Sequence, residues 1–227
     1  MSPPAFSQQR SASGDLPCRS LGAGGFTLLE LLSVIAVIGI LAALIFPGVR
    51  AARVSAHKAR TKVQFSQWSA AIEGFRSEYG YYPAFDPSAL VNGGSSPAMT
   101  GDHPFHDILA GRKRDGTPLP ASGAAAAQNR KRIGFHSFSE ADLTNANSPA
   151  PNLLRDAFDN TAIAVLVDKD LDGVIRIGSD YSALPAVNGL TPTATDFPAT
   201  GVRAGVIFYA PAPGADAANP DFIFSWK

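Results

Sequence analysis

The chain contains 227 residues with equal numbers of acidic and basic side chains, so its formal net charge is zero, and 45% of its residues are hydrophobic. This composition excludes a wholly disordered chain and gives no sign of a basic domain made for nucleic acid. The only cysteine is Cys18, so disulfide bonds are not expected to stabilise the rest of the chain.

The first predicted element is an apolar helix over residues 26–49, in which Glu30 is the only charged residue. At 1.5 Å per residue this helix would be about 36 Å long, enough to cross a hydrocarbon core of about 30 Å. A carboxylate costs about 2.5–3.5 kcal/mol at the bilayer centre and less near an end, so it is normally present for a function. The segment is therefore predicted to span a membrane, with Glu30 as a site of recognition.

The motif G-F-T-L-L-E at residues 25–30, followed by this helix, resembles the leader junction of type IV pilins and type II secretion pseudopilins. The resemblance implies that residues 1–25 are a leader, which a prepilin peptidase removes by cutting between Gly25 and Phe26. It further implies that Phe26 is then methylated. In that family the glutamate, here Glu30, pairs with the N-terminal amine of a neighbouring subunit during filament assembly.

Gly39 and Pro47 stand in the helix where many pilins carry a glycine and a proline. Both residues loosen a helix, glycine through backbone entropy and proline through its missing N–H. A plain signal anchor and an ordinary secretory signal are the alternatives. The secretory signal fits less well, because its apolar region is usually 7–15 residues long and has no acid at its head.

The distribution of charged residues and the family resemblance imply opposite orientations of the helix in the membrane. The residues before the helix include Arg10, Asp15 and Arg19, whereas the segment after it carries five basic residues and no acid: Arg50, Arg53, Lys58, Arg60 and Lys62. The positive-inside rule alone would place the C-terminal side in the cytoplasm. The resemblance implies the reverse, a single-pass protein of the bacterial inner membrane whose C-terminal domain is periplasmic and later enters a pseudopilus or pilus. We adopt this second orientation.

Residues 50–227 are predicted to form one pilin-like globular domain. The helix is expected to continue to about residue 79, where Gly80 and Pro83 end it. Its apolar side chains recur at spacings of three and four: Ala52, Ala56, Ala59, Val63, Trp68, Ile72, Phe75 and Tyr79. Residues 84–150 are rich in Gly, Pro, Ser and Ala and are predicted to be a variable insertion, with a helical turn at 108–110 and a strand at 133–138.

The C-terminal third is predicted to consist of strands. Residues 162–167 and 174–177 are β-branched and are predicted to pair as a hairpin. The resemblance to the major pseudopilin implies two final strands, at residues 206–209 and 221–226. The predicted fold class is α+β, a pilin fold in which a long N-terminal helix packs on a small antiparallel sheet.

An acidic loop, D-K-D-L-D-G, joins the two strands of the predicted hairpin and contains Asp168, Asp170 and Asp172. Alternate aspartates direct their carboxylates toward one point, and such a set can bind calcium. A plain acidic turn remains the alternative, because a twelve-residue calcium loop would end in Glu and here the twelfth residue is Ser179. The resemblance implies a second, weaker calcium site at Asp216 and Asp221.

The resemblance implies a pseudopilin subunit of a type II secretion-like system, and not an enzyme. Its partners would be further copies in a homo-oligomeric filament, other pseudopilins, the prepilin peptidase and the inner-membrane assembly platform, and calcium would be its only cofactor. One alternative is a major or minor type IV pilin, with DNA binding through the basic triplets at 112–114 and 130–132. Nucleic-acid binding is disfavoured, because no aromatic residues interleave the triplets, and both triplets are expected to lie in solvated loops instead.

The other alternative is a membrane-anchored periplasmic metal-dependent enzyme. Its candidate ligands are two imidazoles and two carboxylates close together in sequence: Asp102, His103, His106 and Asp107. Such groups can bind a metal, but the sequence shows no further distant ligands that would complete the set.

Overall fold

The computed structural model describes residues 25–227, with the side chains of residues 44–47 left out. Residues 1–24 of the expected leader therefore lie outside the described residues, and Pro47 is described only as part of a helix. The described chain divides into two units between Gly48 and Val49, and the second, Val49–Lys227, is called the globular unit below. The elements are the helices α1 (Leu28–Tyr79), α2 (Pro104–Ala110) and α3 (Ala124–Gln128), a 3-10 turn (Glu140–Asp142), and the strands β1 (Ala164–Val167), β2 (Val206–Pro211) and β3 (Phe222–Phe224).

The helix α1 contains the apolar segment that the sequence predicts to span a membrane. Among the described residues it is the one helix long and apolar enough to do so, by length and composition. The large apolar side chains at its start are exposed: Leu28 is 83% and Ile40 is 63% accessible. The predicted continuation as a helix to residue 79 is confirmed, and Gly80 follows directly with a φ of 80°.

Three antiparallel strands form the sheet, in the order β1-β2-β3. Leu166 pairs with Ile207 between β1 and β2, and Ala210 pairs with Ile223 between β2 and β3. The predicted α+β layout is therefore confirmed. Every residue of the three strands is buried, because hydrophobic clusters cover both faces of the sheet.

The C-terminal part of α1 packs on one face of this sheet. Phe65 of α1 stacks on Phe208 of β2 with ring centroids 5.4 Å apart, and Trp68 contacts the same ring at 5.7 Å. Such aromatic pairs contribute about 0.5–1.5 kcal/mol each beyond the burial of their area. The recurring apolar side chains of α1 were expected to pack against other residues. Trp68, Ile72 and Phe75 in the second half are buried, as expected. The first half is not, since Val63 is 57% exposed and Ala52, Ala56 and Ala59 are also exposed.

Residues 84–150 supply part of the core around α1. Phe105 and Leu109 of α2 are fully buried in the same cluster as Trp68, and Leu143 and Val91 join them. The predicted helical turn at 108–110 is confirmed as the end of α2. This segment is thus an integral part of the packing, while its variability stays a prediction.

Two predicted strands are absent from the described structure. Residues 133–138 are irregular because the Asn129 side chain takes both backbone groups of Ile133, and the N–H groups of Phe135 and His136 donate to the Leu109 carbonyl. Residues 174–177 form no hairpin with β1. The Arg176 N–H donates to the Asp180 carboxylate instead, and side-chain acceptors of this kind compete with strand pairing.

Candidate functional site

The N-terminal junction lies immediately before α1. Gly25, Phe26 and Thr27 have no helical structure, and all three are exposed. A Cβ atom added at Gly25 would meet no other atom within 4 Å. The bond between Gly25 and Phe26 therefore lies in an open, non-helical segment of this chain.

Thr27 and Glu30 cap the start of α1 reciprocally. The Glu30 Oε2 atom accepts from the Thr27 N–H and from its hydroxyl, each at 2.9 Å, and the Thr27 Oγ1 atom accepts from the Glu30 N–H at 3.2 Å. This is a capping box, which satisfies N–H groups that have no partner within the helix. The sequence signal for it, T-x-x-E at residues 27–30, was present but the sequence reasoning missed it.

Gly39 lies within α1, and a Cβ there would also meet nothing within 4 Å. Glycine at this position is therefore not required by packing within the single chain. The side chain of Pro47, the other residue assigned to assembly, lies outside the described side chains. The roles of both in assembly stay predictions.

The acidic loop after β1 brings together a different set of aspartates from the predicted one. Asp168 and Asp170 are joined by Asp180, and one carboxylate oxygen from each lies within 4.8 Å of the others. Asp172 forms an ion pair with Arg176 instead. The Arg176 guanidinium lowers the pKa of Asp172.

Electrostatic repulsion is evident at Asp170. The Asp172 N–H donates to its carboxylate and by itself lowers the pKa of Asp170. Desolvation, hydrogen bonding of the protonated carboxyl with Asp168, and the charges of Asp180 and Asp172 together outweigh that hydrogen bond, so the pKa of Asp170 is raised overall. Hard cations such as calcium are bound by oxygen ligands of this kind.

Asp216 and Asp221, the weaker calcium candidates, make separate local contacts. The Asp216 carboxylate accepts from the N–H groups of Ala218 and Asn219, at 2.9 and 2.8 Å. Asp221 forms an ion pair with Lys58 of α1 at 3.3 Å. Neither belongs to a group of three possible ligands among residues 25–227.

His103, His106 and Asp107 form a hydrogen-bonded network at the start of α2. The Nδ1 atom of His103 accepts from the His106 N–H at 3.2 Å, and its Nε2 atom lies 2.9 Å from the Asn92 Oδ1 atom. Burial, followed by the charge of Arg114, lowers the pKa of His103 well below 6.5. Asp107 accepts from the His103 N–H and from Lys113. These contacts give the group a structural role as a helix cap.

The first basic triplet is mostly buried, contrary to the expectation of a solvated loop. The Lys113 ammonium contacts Asp107 at 3.0 Å and also pairs with Asp102. Arg114 donates to the backbone carbonyls of Ser96 and Ala98, at 2.6 and 2.8 Å. In the second triplet, Lys131 pairs with Glu78 of α1. At least three of the six basic groups are thus bound to acceptors of the same chain.

Comparison with protein-family models, with curated proteins and with solved structures finds no match for this chain.

Proposed function

We propose that this chain is a pseudopilin subunit of a type II secretion-like system. It is cut by a prepilin peptidase between Gly25 and Phe26, methylated at Phe26 and polymerised into a periplasmic filament with the help of an inner-membrane assembly platform. The observation that carries the proposal is the junction itself: an exposed Gly25-Phe26 bond directly ahead of a capped helix whose apolar segment, up to residue 49, contains Glu30 as its single carboxylate. The α+β layout is consistent with the pilin fold that the resemblance implies.

The proposed cleavage leaves the helix cap intact. A cut before Phe26 creates a new amine on Phe26, while the Thr27 N–H that donates to Glu30 remains part of a peptide bond. The processed helix therefore keeps its capping box. A protease that binds its substrate extended also needs a non-helical segment, which residues 25–27 provide.

Glu30 has capacity for a second partner. The described hydrogen bonds use its Oε2 atom, and among residues 25–227 no donor is bonded to the Oε1 atom. An unpaired carboxylate within a bilayer costs about 2.5–3.5 kcal/mol at the centre, so a cationic partner would lower the energy of the assembled state. The methylated amine of a neighbouring Phe26 is such a cation.

The alternative functions receive less support from the geometry. Lys113 and Arg114 are buried, and the Lys113 ammonium and the Arg114 Nη2 group donate to acceptors of the same chain, which leaves them poorly placed to contact phosphates. His103 and Asp107 are bound into the cap of α2. The junction at Gly25-Phe26 would serve a type IV pilin equally well. The length of the filament would distinguish the two classes, because a pseudopilus is short and a pilus is extended.

The assembly role of Glu30 can be separated from its capping role by two substitutions. Glu30→Gln keeps an oxygen acceptor for the Thr27 donors but removes the charge, whereas Glu30→Val removes both. We expect both variants to insert in the membrane and to form few filaments, because both lose the charge that pairs with the amine. Sheared filaments are quantified by immunoblot in a strain that carries the assembly system.

Two outcomes would contradict this role. Normal filament yield from Glu30→Gln together with a loss in Glu30→Val would show that Glu30 acts only as a helix cap. Normal yield from both variants would remove Glu30 from assembly altogether.

Membrane orientation needs its own test, because the basic residues after the apolar segment favour the opposite one. Alkaline phosphatase, which is active only outside the cytoplasm, can be fused after Lys227. The proposal predicts an active fusion, and an inactive but stably expressed fusion would overturn the periplasmic placement.

A further inference from the structure

Two loops that follow β1 place three aspartates around one point. Asp168 directly follows β1, and Asp170 lies two residues further along the same loop. Asp180 comes from the next loop of the chain. We propose that these three carboxylates form a calcium site in the globular unit. The inference does not depend on the pseudopilin function, and it differs from the set 168, 170 and 172 that the sequence pattern predicts.

The most buried of the three carboxylates has an oxygen without a partner. Asp168 is 1% exposed, and while its Oδ2 atom accepts from the Gly173 N–H at 2.8 Å, its Oδ1 atom is buried with no hydrogen bond. Leaving a buried charged oxygen unpaired is costly, since buried polar atoms are nearly always hydrogen-bonded or bound to an ion. Asp168 offers an oxygen within 4.8 Å of those of Asp170 and Asp180, so a cation bound among the three carboxylates would be close enough to satisfy this side chain.

No ion pair within the described residues compensates the three charges. The one guanidinium in the loop, that of Arg176, is paired with Asp172. The ammonium of Lys169 lies over the Tyr181 ring, 3.7 Å from its centroid, and donates to the Asp180 carbonyl rather than to a carboxylate. Three like charges within 4.8 Å repel strongly at the reduced dielectric of a half-buried site. A divalent cation removes that repulsion.

Asp180 is held in position by the backbone. Its Oδ1 atom accepts from the Lys169 N–H at 2.8 Å, and its Oδ2 atom accepts from the Arg176 N–H at 2.8 Å. Two longer contacts, from the Asp170 N–H to Oδ1 at 3.4 Å and from the Ser179 hydroxyl to Oδ2 at 3.2 Å, occupy the second lone pair of each oxygen. The short bonds orient the carboxylate, and a metal would replace the longer contacts. Asp170 is exposed, so solvent can enter from its side and supply the further oxygen ligands that calcium needs. Magnesium, which requires a near-octahedral cage, suits such irregular ligands less well.

Terbium, a luminescent substitute for calcium, provides the test. The full-length chain in detergent micelles is titrated with terbium while Tyr181, the residue after Asp180, is excited, and calcium or magnesium is then added as competitor. We expect saturable luminescence that calcium displaces at lower concentration than magnesium. Asp168→Asn and Asp170→Asn should each weaken terbium binding by about tenfold or more, as expected when a charged ligand is lost.

Asp172→Asn is the matched control, because Asp172 lies in the same loop but pairs with Arg176. We expect it to change terbium affinity by less than about threefold. Asp170→Asn should still fold, because Asp170 is exposed and the loss of its charge relieves repulsion. A loss of binding in this variant therefore cannot be explained by misfolding. In the presence of a chelator this variant should melt at the same temperature as the parent chain or higher, and it should lose the increase in Tm that calcium gives the parent.

Three results would overturn the proposal. The first is the absence of calcium-displaceable luminescence at millimolar terbium, which would leave only an acidic turn. The second is equal weakening by Asp172→Asn and Asp170→Asn, which would favour the sequence-predicted set. The third is full affinity in both Asp168→Asn and Asp170→Asn, which would place the ion elsewhere.

Discussion

Acidification is expected to destabilise the globular unit through the single imidazole that caps α2. The Asn92 Oδ1 atom accepts from the Leu154 N–H, so the His103 Nε2 atom, which faces the same oxygen, carries a proton and donates it. The Nδ1 atom must then be unprotonated, because it accepts from the His106 N–H. A second proton on this ring would place two N–H groups against each other and break the cap.

The sign and size of the effect follow from the pKa. Burial and the nearby charge of Arg114 lower the pKa of His103 well below 6.5, so below that pH the unfolded chain binds a proton that the folded chain does not. The stability that neutral His103 contributes is complete above the pKa of this side chain in the unfolded chain. It is lost progressively as the pH falls toward the lower pKa of His103 in the folded chain. From about pH 7.5 to 5.5 the free energy of unfolding should decrease by up to about 1.4 kcal/mol. This corresponds to a decrease of roughly 3–6 °C in Tm for a chain of this size.

The assay is thermal unfolding of the purified chain in detergent micelles, followed by circular dichroism at the two pH values. His103→Asn serves as the comparison, because asparagine also caps a helix well but does not titrate. It should reduce the pH dependence of Tm by the amount given above, whereas His136, whose pKa burial also lowers, should keep its own contribution in both proteins. An unchanged pH dependence in His103→Asn would refute this reasoning.

Two further predictions concern packing and the buried ion pair. Trp68→Ala should lower the free energy of unfolding by about 3–5 kcal/mol, because it opens a cavity among four aromatic rings, whereas Val63→Ala on the same helix should change it by less than about 0.5 kcal/mol. If chemical denaturation gave the same loss of unfolding free energy for Trp68→Ala and Val63→Ala, α1 would not pack on the sheet through Trp68. Lys113→Met should cost about 3–5 kcal/mol by leaving the buried Asp107 without its cation, and the exposed neighbour Arg112→Met should cost little. If Lys113→Met kept the free energy of unfolding of the parent chain but weakened DNA binding, the result would instead support a nucleic-acid role for this triplet.

The sequence predicts the helical part of this fold well because the signals are local. Continuous apolar character and the breakers Gly80 and Pro83 determine where α1 lies, and a β-branched run identifies β1. The strands β2 and β3 were expected from the family resemblance. Non-local pairing is where the sequence reasoning fails. Residues 174–177 have the composition of a strand, yet the carboxylate of Asp180 takes the Arg176 N–H that a strand would use.

The same limit applies to the candidate sites. Asp172 fits the spacing of a calcium loop, but a side chain four residues away, Arg176, is close enough to pair with it. Asp180 joins the cluster only because the loop folds back, which spacing along the chain does not encode. The burial of Lys113 was likewise hidden, since its partner Asp107 lies on a separate element. By contrast, the capping role of Glu30 is encoded locally by Thr27 and was readable from the sequence.

Mass spectrometry of the mature N-terminus tests the central claim most directly. The chain is produced together with a prepilin peptidase and compared with Gly25→Val, a substitution that the fold tolerates because a side chain at this position meets nothing within 4 Å. The account predicts that the parent chain begins at Phe26 and carries one added methyl group, and that Gly25→Val keeps its leader. A parent chain that still begins at Met1, or that is cut near Ala52, would contradict it.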